Sequence, residues 1–143
     1  MAFMKVVKIW NQTVRSMMFK VIIAGGRDFE AKTKDMNKIN HLLGRYKAPH
    51  GEVPMFNNLE MVTGTAKGAD QVPYYYNYRH GVPIKEFPAD WGKHGKAAGM
   101  IRNRQMAEYS DALIAFWDGK SRGTKNMIQE MNRLGKPVRV IRY

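Results

Sequence analysis

The sequence predicts a single α/β domain built on a mostly parallel five-stranded sheet. Three observations carry that class. Short apolar runs alternate with stretches of helical spacing five times along the chain. The runs are too apolar to be covered on one face only, as in FKVIIA at 19–24 and ALIAFW at 112–117. The connections are long enough for right-handed crossovers between parallel strands.

The elements follow in order. Residues 1–17 form an N-terminal extension, in which MKVVKIW at 4–10 has the pattern of an added edge strand; the domain runs over 18–143. The first firm strand is 19–24, ending in the turn GGRDF at 25–29. Residues 30–46 carry Met36, Ile39, Leu42 and Leu43 at helical spacing and close near Gly44. A loop over 49–58 leads to the strand LEMVT at 59–63 and the turn GTAKGAD at 64–70. The next helix has Pro73 in its first turn and Gly81 as its terminator. Its tyrosines (Tyr74, Tyr75, Tyr76, Tyr78) are spaced to pack one helix face. VPIKEF at 82–87 is a short third strand, followed by a loop over 88–95 and a helix over 96–108. The fourth strand, 112–117, breaks into DGKSRGT at 118–124, where Thr124 is placed as N-cap of a helix over 124–134. Met127, Ile128, Met131 and Leu134 share a face there. Met100, Met106, Met127 and Met131 are read as core. PVRVI at 137–141 is the last strand.

Right-handed connections make this a Rossmann-like three-layer domain of strand order 3-2-1-4-5, with its switch point between strands one and four. Ligands in such sheets bind beyond the C-terminal strand ends. All three glycine-bearing turns therefore converge on one edge, which is stronger evidence than any of them alone.

Composition bounds the function. The 143 residues suit one domain, and the absence of cysteine excludes disulfides, thiolate metal sites and cysteine nucleophiles. There is no apolar run long enough to span a membrane and no cleavable leader, so a cytoplasmic location is expected. The net charge of +12 favours phosphate-bearing ligands or nucleic acid, although a scattered basic surface gives the same total.

Gly119, Gly123 and the N–H groups around Thr124 can cradle a phosphate at a helix start, with Ser121, Arg122, Lys120 and Lys125 beside them and Asp118 opening the turn. Gly25, Gly26, Arg27 and Asp28 form the first wall; Gly64, Thr65, Gly68 and Asp70 form the second. A Walker A ending is missing after Gly68, and the third glycine of a dinucleotide fingerprint is missing after Gly26. Arg102 and Arg104 flank Asn103 on a helix. Their i, i+2 spacing points them in different directions, so they are not expected to grip the same group. Asp28 and Asp70 can accept a ribose hydroxyl, cap a helix or act as a base. His94 is a loop histidine. No metal-ligand cluster and no Ser–His–Asp arrangement is legible.

Four segments in order, GGRDF, VTGTAKGAD, FPADWGKHGKAAGMIRNRQMAE and SDALIAFWDGKSRGT, resemble the YspA-like, cpYpsA-related branch of the SLOG superfamily over roughly residues 18–143. The resemblance implies a nucleotide-binding Rossmann-like fold, with NAD- or ADP-ribose-related ligands. It also implies kinship with the LOG phosphoribohydrolases and with DprA, which handles single-stranded DNA, a phage or bacterial setting, and frequent dimers. Two departures stand out. The second turn has Gly64-Thr65 where the family has Gly-Gly. The catalytic Glu that follows the LOG Gly-Thr pair by three residues is here Met127; Glu130 stands ~4.5 Å further along a helix axis.

Three functions follow. The first is binding of a nucleotide-derived small molecule, as sensor or sequestering module. The second is N-glycosidic hydrolysis, using Asp28, Asp70 or Glu130. The third is binding of single-stranded nucleic acid. No cofactor beyond such a ligand is called for.

Overall fold

The computed structural model describes residues 2, 4–6, 18–44 and 58–143. Its elements are β1 (Phe19–Gly25), α1 (Thr33–Leu43), β2 (Leu59–Thr63), α2 (Val72–His80), β3 (Ile84–Glu86), the single turn α3 (Trp91–His94), α4 (Ala98–Tyr109), β4 (Ala112–Trp117), α5 (Arg122–Arg133) and β5 (Val138–Arg142). The strands form one five-stranded sheet, ordered β3-β2-β1-β4-β5 and parallel throughout. The expected class and strand order are both observed.

Alternation of side chains across β1 explains the two cores. Val21 and Ile23 join Leu59, Met61, Ile114 and Phe116 under Ile39, Leu42 and Leu43 of α1 and Tyr76 of α2. Ile22 and Ala24 join Val62, Leu113 and Ala115 under Met106 and Ala107 of α4 and Met127 and Met131 of α5. With both faces covered, every residue of β2 is buried, which is why these runs lack a polar alternation. Each wholly buried Ile or Leu contributes about 1.5–3 kcal/mol. Glu60, buried in β2, accepts a hydrogen bond from the Tyr109 hydroxyl.

Several local expectations are corrected. Of the tyrosines of α2, only Tyr76 is core; Tyr75 and Tyr78 are exposed, because neighbouring helical positions turn about 100° away from it. Met100 is likewise exposed, unlike Met106, Met127 and Met131. The cap of α5 is Ser121 rather than Thr124, and its Oγ accepts the Thr124 N–H. Residues 2 and 4–6 are helical and exposed rather than extended; the other residues of the extension, and the loop over 49–58 apart from Asn58, lie outside the described residues. The Lys136 ammonium donates to the carbonyls of Ala107, Glu108 and Ser110 at 2.7, 3.1 and 2.6 Å, closing the C-terminal end of α4 with a positive charge.

Candidate functional site

The crossovers leaving β1 and β4 run to opposite faces of the sheet, so the chain separates beyond those two strand ends. A cavity of about 690 Å³ lies there. Gly25 and Arg27 line it from the end of β1, and Ala66 and Asp70 from the second turn. Arg102, Asn103 and Met106 contribute from α4, and residues 121–127 and Gln129 from the start of α5. Trp91, Lys96, Gly99 and Met100 form the remaining side.

Arg102 and Asn103 fasten two walls together. The guanidinium Nη1 of Arg102 donates to the Gly64 carbonyl, and its Nε donates to Asn103 Oδ1 at 3.0 Å. The Asn103 amide in turn donates to the Gly123 carbonyl at 3.2 Å and to Asn126 Oδ1 at 2.9 Å. A short chain of bonds thus runs from the turn after β2 to the first turn of α5. Asp70 is buried beside it and accepts the Ala66 N–H at 3.1 Å. Burial raises the Asp70 pKa, partly offset by that N–H and by Arg102 and Arg27. Burial also lowers the Arg102 pKa; Asp70 opposes this and Arg27 adds to it.

The turn after β4 is built by its own polar groups. Asp118 Oδ1 accepts the N–H groups of Ser121 and Lys120, each at 2.8 Å, and these bonds hold its pKa below the usual value. The Trp117 indole donates to the Ser121 carbonyl at 3.0 Å. The first N–H groups of α5, like those of any helix, have no acceptor within the helix. The α5 start faces the cavity, flanked by Arg122 and Lys125.

The glycines of the two sides differ in what they face. A Cβ on Gly25 would overlap the Phe116 carbonyl, and one on Gly26 the Tyr143 hydroxyl. Gly64 is hemmed in by Arg102 and Asp70. Gly68, at φ +75°, lies against the backbone of Gly26 and Arg27, and Gly119, at φ +84°, against the Arg142 guanidinium. Gly123 has nothing within 4 Å of that point. Thr65 takes φ +64°, the conformation that a second glycine would adopt freely; its N–H is held by Thr63 Oγ1 at 3.1 Å.

The cavity lining brings together Gly25, Arg27, Asp70, Arg102, Asn103, Ser121, Arg122, Gly123 and Thr124. It leaves out Gly26, Asp28, Gly64, Thr65, Gly68, Arg104, Asp118 and Gly119. Asp28 accepts the Tyr143 hydroxyl at 2.8 Å, and burial together with that carboxylate pushes the phenol up to about 12. Arg104 points away and meets Glu130 at 3.7 Å; Glu130 also holds Arg133 at 3.0 Å and is not in the lining. His94 is outside it as well. Asp70 is the one carboxylate among the lining residues, against five cationic side chains: Arg27, Lys96, Arg102, Arg122 and Lys125. Such a site is suited to holding an anion. It has no carboxylate pair of the kind that cleaves glycosides. Among the described residues, no group of three or more His, Cys, Asp or Glu is placed to hold a metal ion.

Trp91, Lys96, Met100, Asn126 and Gln129 were not picked out from the sequence as site residues. The signal for Trp91 is a large aromatic in the glycine-bearing segment between β3 and α4.

Comparison with known proteins gives the following. Residues 19–94 match the YspA, cpYpsA-related SLOG family. Gene 61 protein of Mycobacterium phage D29 is 32% identical over 127 residues, covering 85% of this chain and 94% of that protein. Among solved structures, DNA processing protein A (DprA) from Streptococcus pneumoniae superposes with a TM-score of 0.63 at 13% identity. That match covers 89% of this chain but only 51% of the larger protein. DNA processing protein A from Helicobacter pylori, described for its single-stranded DNA binding mode, superposes with a TM-score of 0.58 at 19% identity, covering 90% and 67%. At such identities the likeness is one of fold. Among the described residues no helix is long and apolar enough to cross a membrane.

Proposed function

This chain belongs to the YspA, cpYpsA-related SLOG family, and from that premise we propose that its cavity binds a nucleotide-derived ligand of the NAD or ADP-ribose kind, as a sensor or sequestering module. One observation carries the reading: five cationic side chains and the open first turn of α5 surround a space of about 690 Å³ that contains a single carboxylate. That volume lies within the usual range of roughly 300–1,000 Å³ for small-molecule sites. Gly123 leaves room for phosphate oxygens to approach the backbone. Calorimetric titration with AMP, NAD, ADP-ribose and cyclic ADP-ribose tests it. Binding of at least one is expected; no heat with any member of the panel sinks the proposal.

Binding rather than cleavage is favoured by Met127. It lines the cavity, almost wholly buried, at the position of the LOG catalytic Glu. The hydrolytic alternative would have to use Asp70, since Asp28 and Glu130 are engaged outside the lining. Release of free base from AMP or nicotinamide from NAD, abolished in Asp70→Asn and untouched in Glu130→Gln, would establish it instead.

A second reading, single-stranded nucleic-acid binding, is favoured by the net charge of +12 and by the fold shared with the Helicobacter protein. It expects oligonucleotide affinity that falls steeply with salt. Weak binding already at low salt rules it out. Dimer formation, carried over from the resemblance, is tested by sedimentation. The proposed division into residues 1–17 and a domain over 18–143 is tested by whether the shorter chain folds and binds alike.

A further inference from the structure

We infer that Trp91, with Met100 beside it, is the seat for the planar base of the ligand, so that the site reads its ligand from base at this rim to phosphate at the first turn of α5. The inference rests on the nucleotide reading above and adds an orientation and a ligand class: a phosphorylated nucleoside rather than a phosphate or sugar phosphate alone.

The observations are these. Trp91 and Met100 are 52% and 60% exposed, yet both line the cavity. Neither contributes to either core. Neither α3 nor the 3₁₀ turn Gly95–Ala97 that follows it buries a single residue, so core packing does not explain an indole in this place. The turn is nevertheless a defined one: Asp90 Oδ1 accepts the Lys93 N–H at 3.0 Å and caps α3. The edge of the ring lies over α4, where a Cβ on Gly99 would stand 3.5 Å from Trp91 Cη2. A solvent-open indole thus shares the cavity with cationic groups: Lys96 and the Arg102 guanidinium on its own side, the latter 3.9 Å from the same Gly99 point, and Arg122 and Lys125 at the α5 start. A nucleotide carries partners for both. Its base has a π-face for the indole, and its phosphate has charge for the α5 end. The thioether of Met100 is soft enough to adapt to a ring of either size.

The test is a titration of the full chain, as wild type, Trp91→Ala and Trp91→Phe, with AMP and with ribose 5-phosphate. Circular dichroism melts verify that the variants are folded. Base stacking lost on alanine substitution predicts AMP affinity lower by roughly 5- to 100-fold in Trp91→Ala. Ribose 5-phosphate affinity should stay within about twofold, and Trp91→Phe should recover most of the AMP affinity. An equal loss for both ligands, or no loss for either, overturns the base seat while leaving a phosphate site in place. Wild-type protein that binds ribose 5-phosphate as tightly as AMP also overturns it. If the wild type binds neither, the nucleotide reading falls and takes this inference with it. If Trp91→Ala weakens only single-stranded oligonucleotide, the indole serves a nucleic acid and the small-molecule seat is refuted.

Discussion

The turns after β1 and β4 stand side by side at one edge of the sheet, and both carry two glycines. They use them in different ways. In the first turn the missing side chains make room for the protein itself: the Phe116 carbonyl above Gly25, the Tyr143 hydroxyl above Gly26. In the turn after β4, Gly119 likewise makes room for the Arg142 guanidinium, but Gly123 opens on empty space at the start of a helix. A glycine at a strand end is therefore not in itself a mark of a ligand. What a Cβ would meet there distinguishes a glycine that packs against the protein from one that faces open space.

The sharpest way to break this contrast is Gly68→Ala, on the packed side. It combines a left-handed φ with collision against the Gly26 carbonyl. A loss of about 2–4 kcal/mol in urea unfolding is expected, from overpacking plus the left-handed penalty. A loss below about 1 kcal/mol would mean that the packed wall yields easily.

Asp70 belongs to the same wall, and pH probes it. Its folded pKa is raised above 3.8, so the native state holds the proton more tightly than the unfolded chain does. Its contribution is fully present below pH 3.8 and is lost as pH rises through the raised value. Across that window this one group lowers stability with pH, by at most about 1.4 kcal/mol per unit. Asp70→Asn should remove that component from a denaturation series, and an unchanged slope would contradict the assignment.

On the open side, Gly123→Ala should leave stability within about 0.5 kcal/mol, since nothing is displaced. Under the proposed function, AMP affinity should nevertheless fall by roughly tenfold, about 1.4 kcal/mol. Loss of stability without loss of affinity would reverse the comparison. The smallest effect is expected at Thr65, whose φ of +64° is strained for a β-branched residue. Thr65→Gly should stabilise the chain by about 1 kcal/mol, read as a higher urea midpoint.

Much of this was legible beforehand, for identifiable reasons. The runs 19–24 and 112–117 are apolar throughout because helices cover both faces of β1 and β4, and the handedness of crossovers then fixes the strand order. The divergence of Arg102 and Arg104 followed from helical angles alone. What escaped the sequence depends on contacts distant along the chain. Nothing near Gly26 announces Tyr143, whose bond to Asp28 closes 115 positions of chain. The exposure of Trp91 and Met100 follows from the path of the β3–β4 crossover, in which α3 turns over α4 without burying anything. The cap at Ser121 rather than Thr124 depends on Asp118 closing the turn three residues before it. Three of the four tyrosines in α2 miss the core because only Tyr76 lies on the side of the helix that faces the sheet.

The sheet has a consequence at its margins too. A strand with one unpaired side is a template for another copy of the chain. Among the described residues, one margin is β3, only three residues long, with Pro83 directly before it. The other is β5, which carries Arg139 and Arg142 exposed along its length. Setting two such strands together would bring guanidinium groups of like charge side by side. Among the described residues, brevity at one margin and charge at the other disfavour edge-to-edge growth of the sheet.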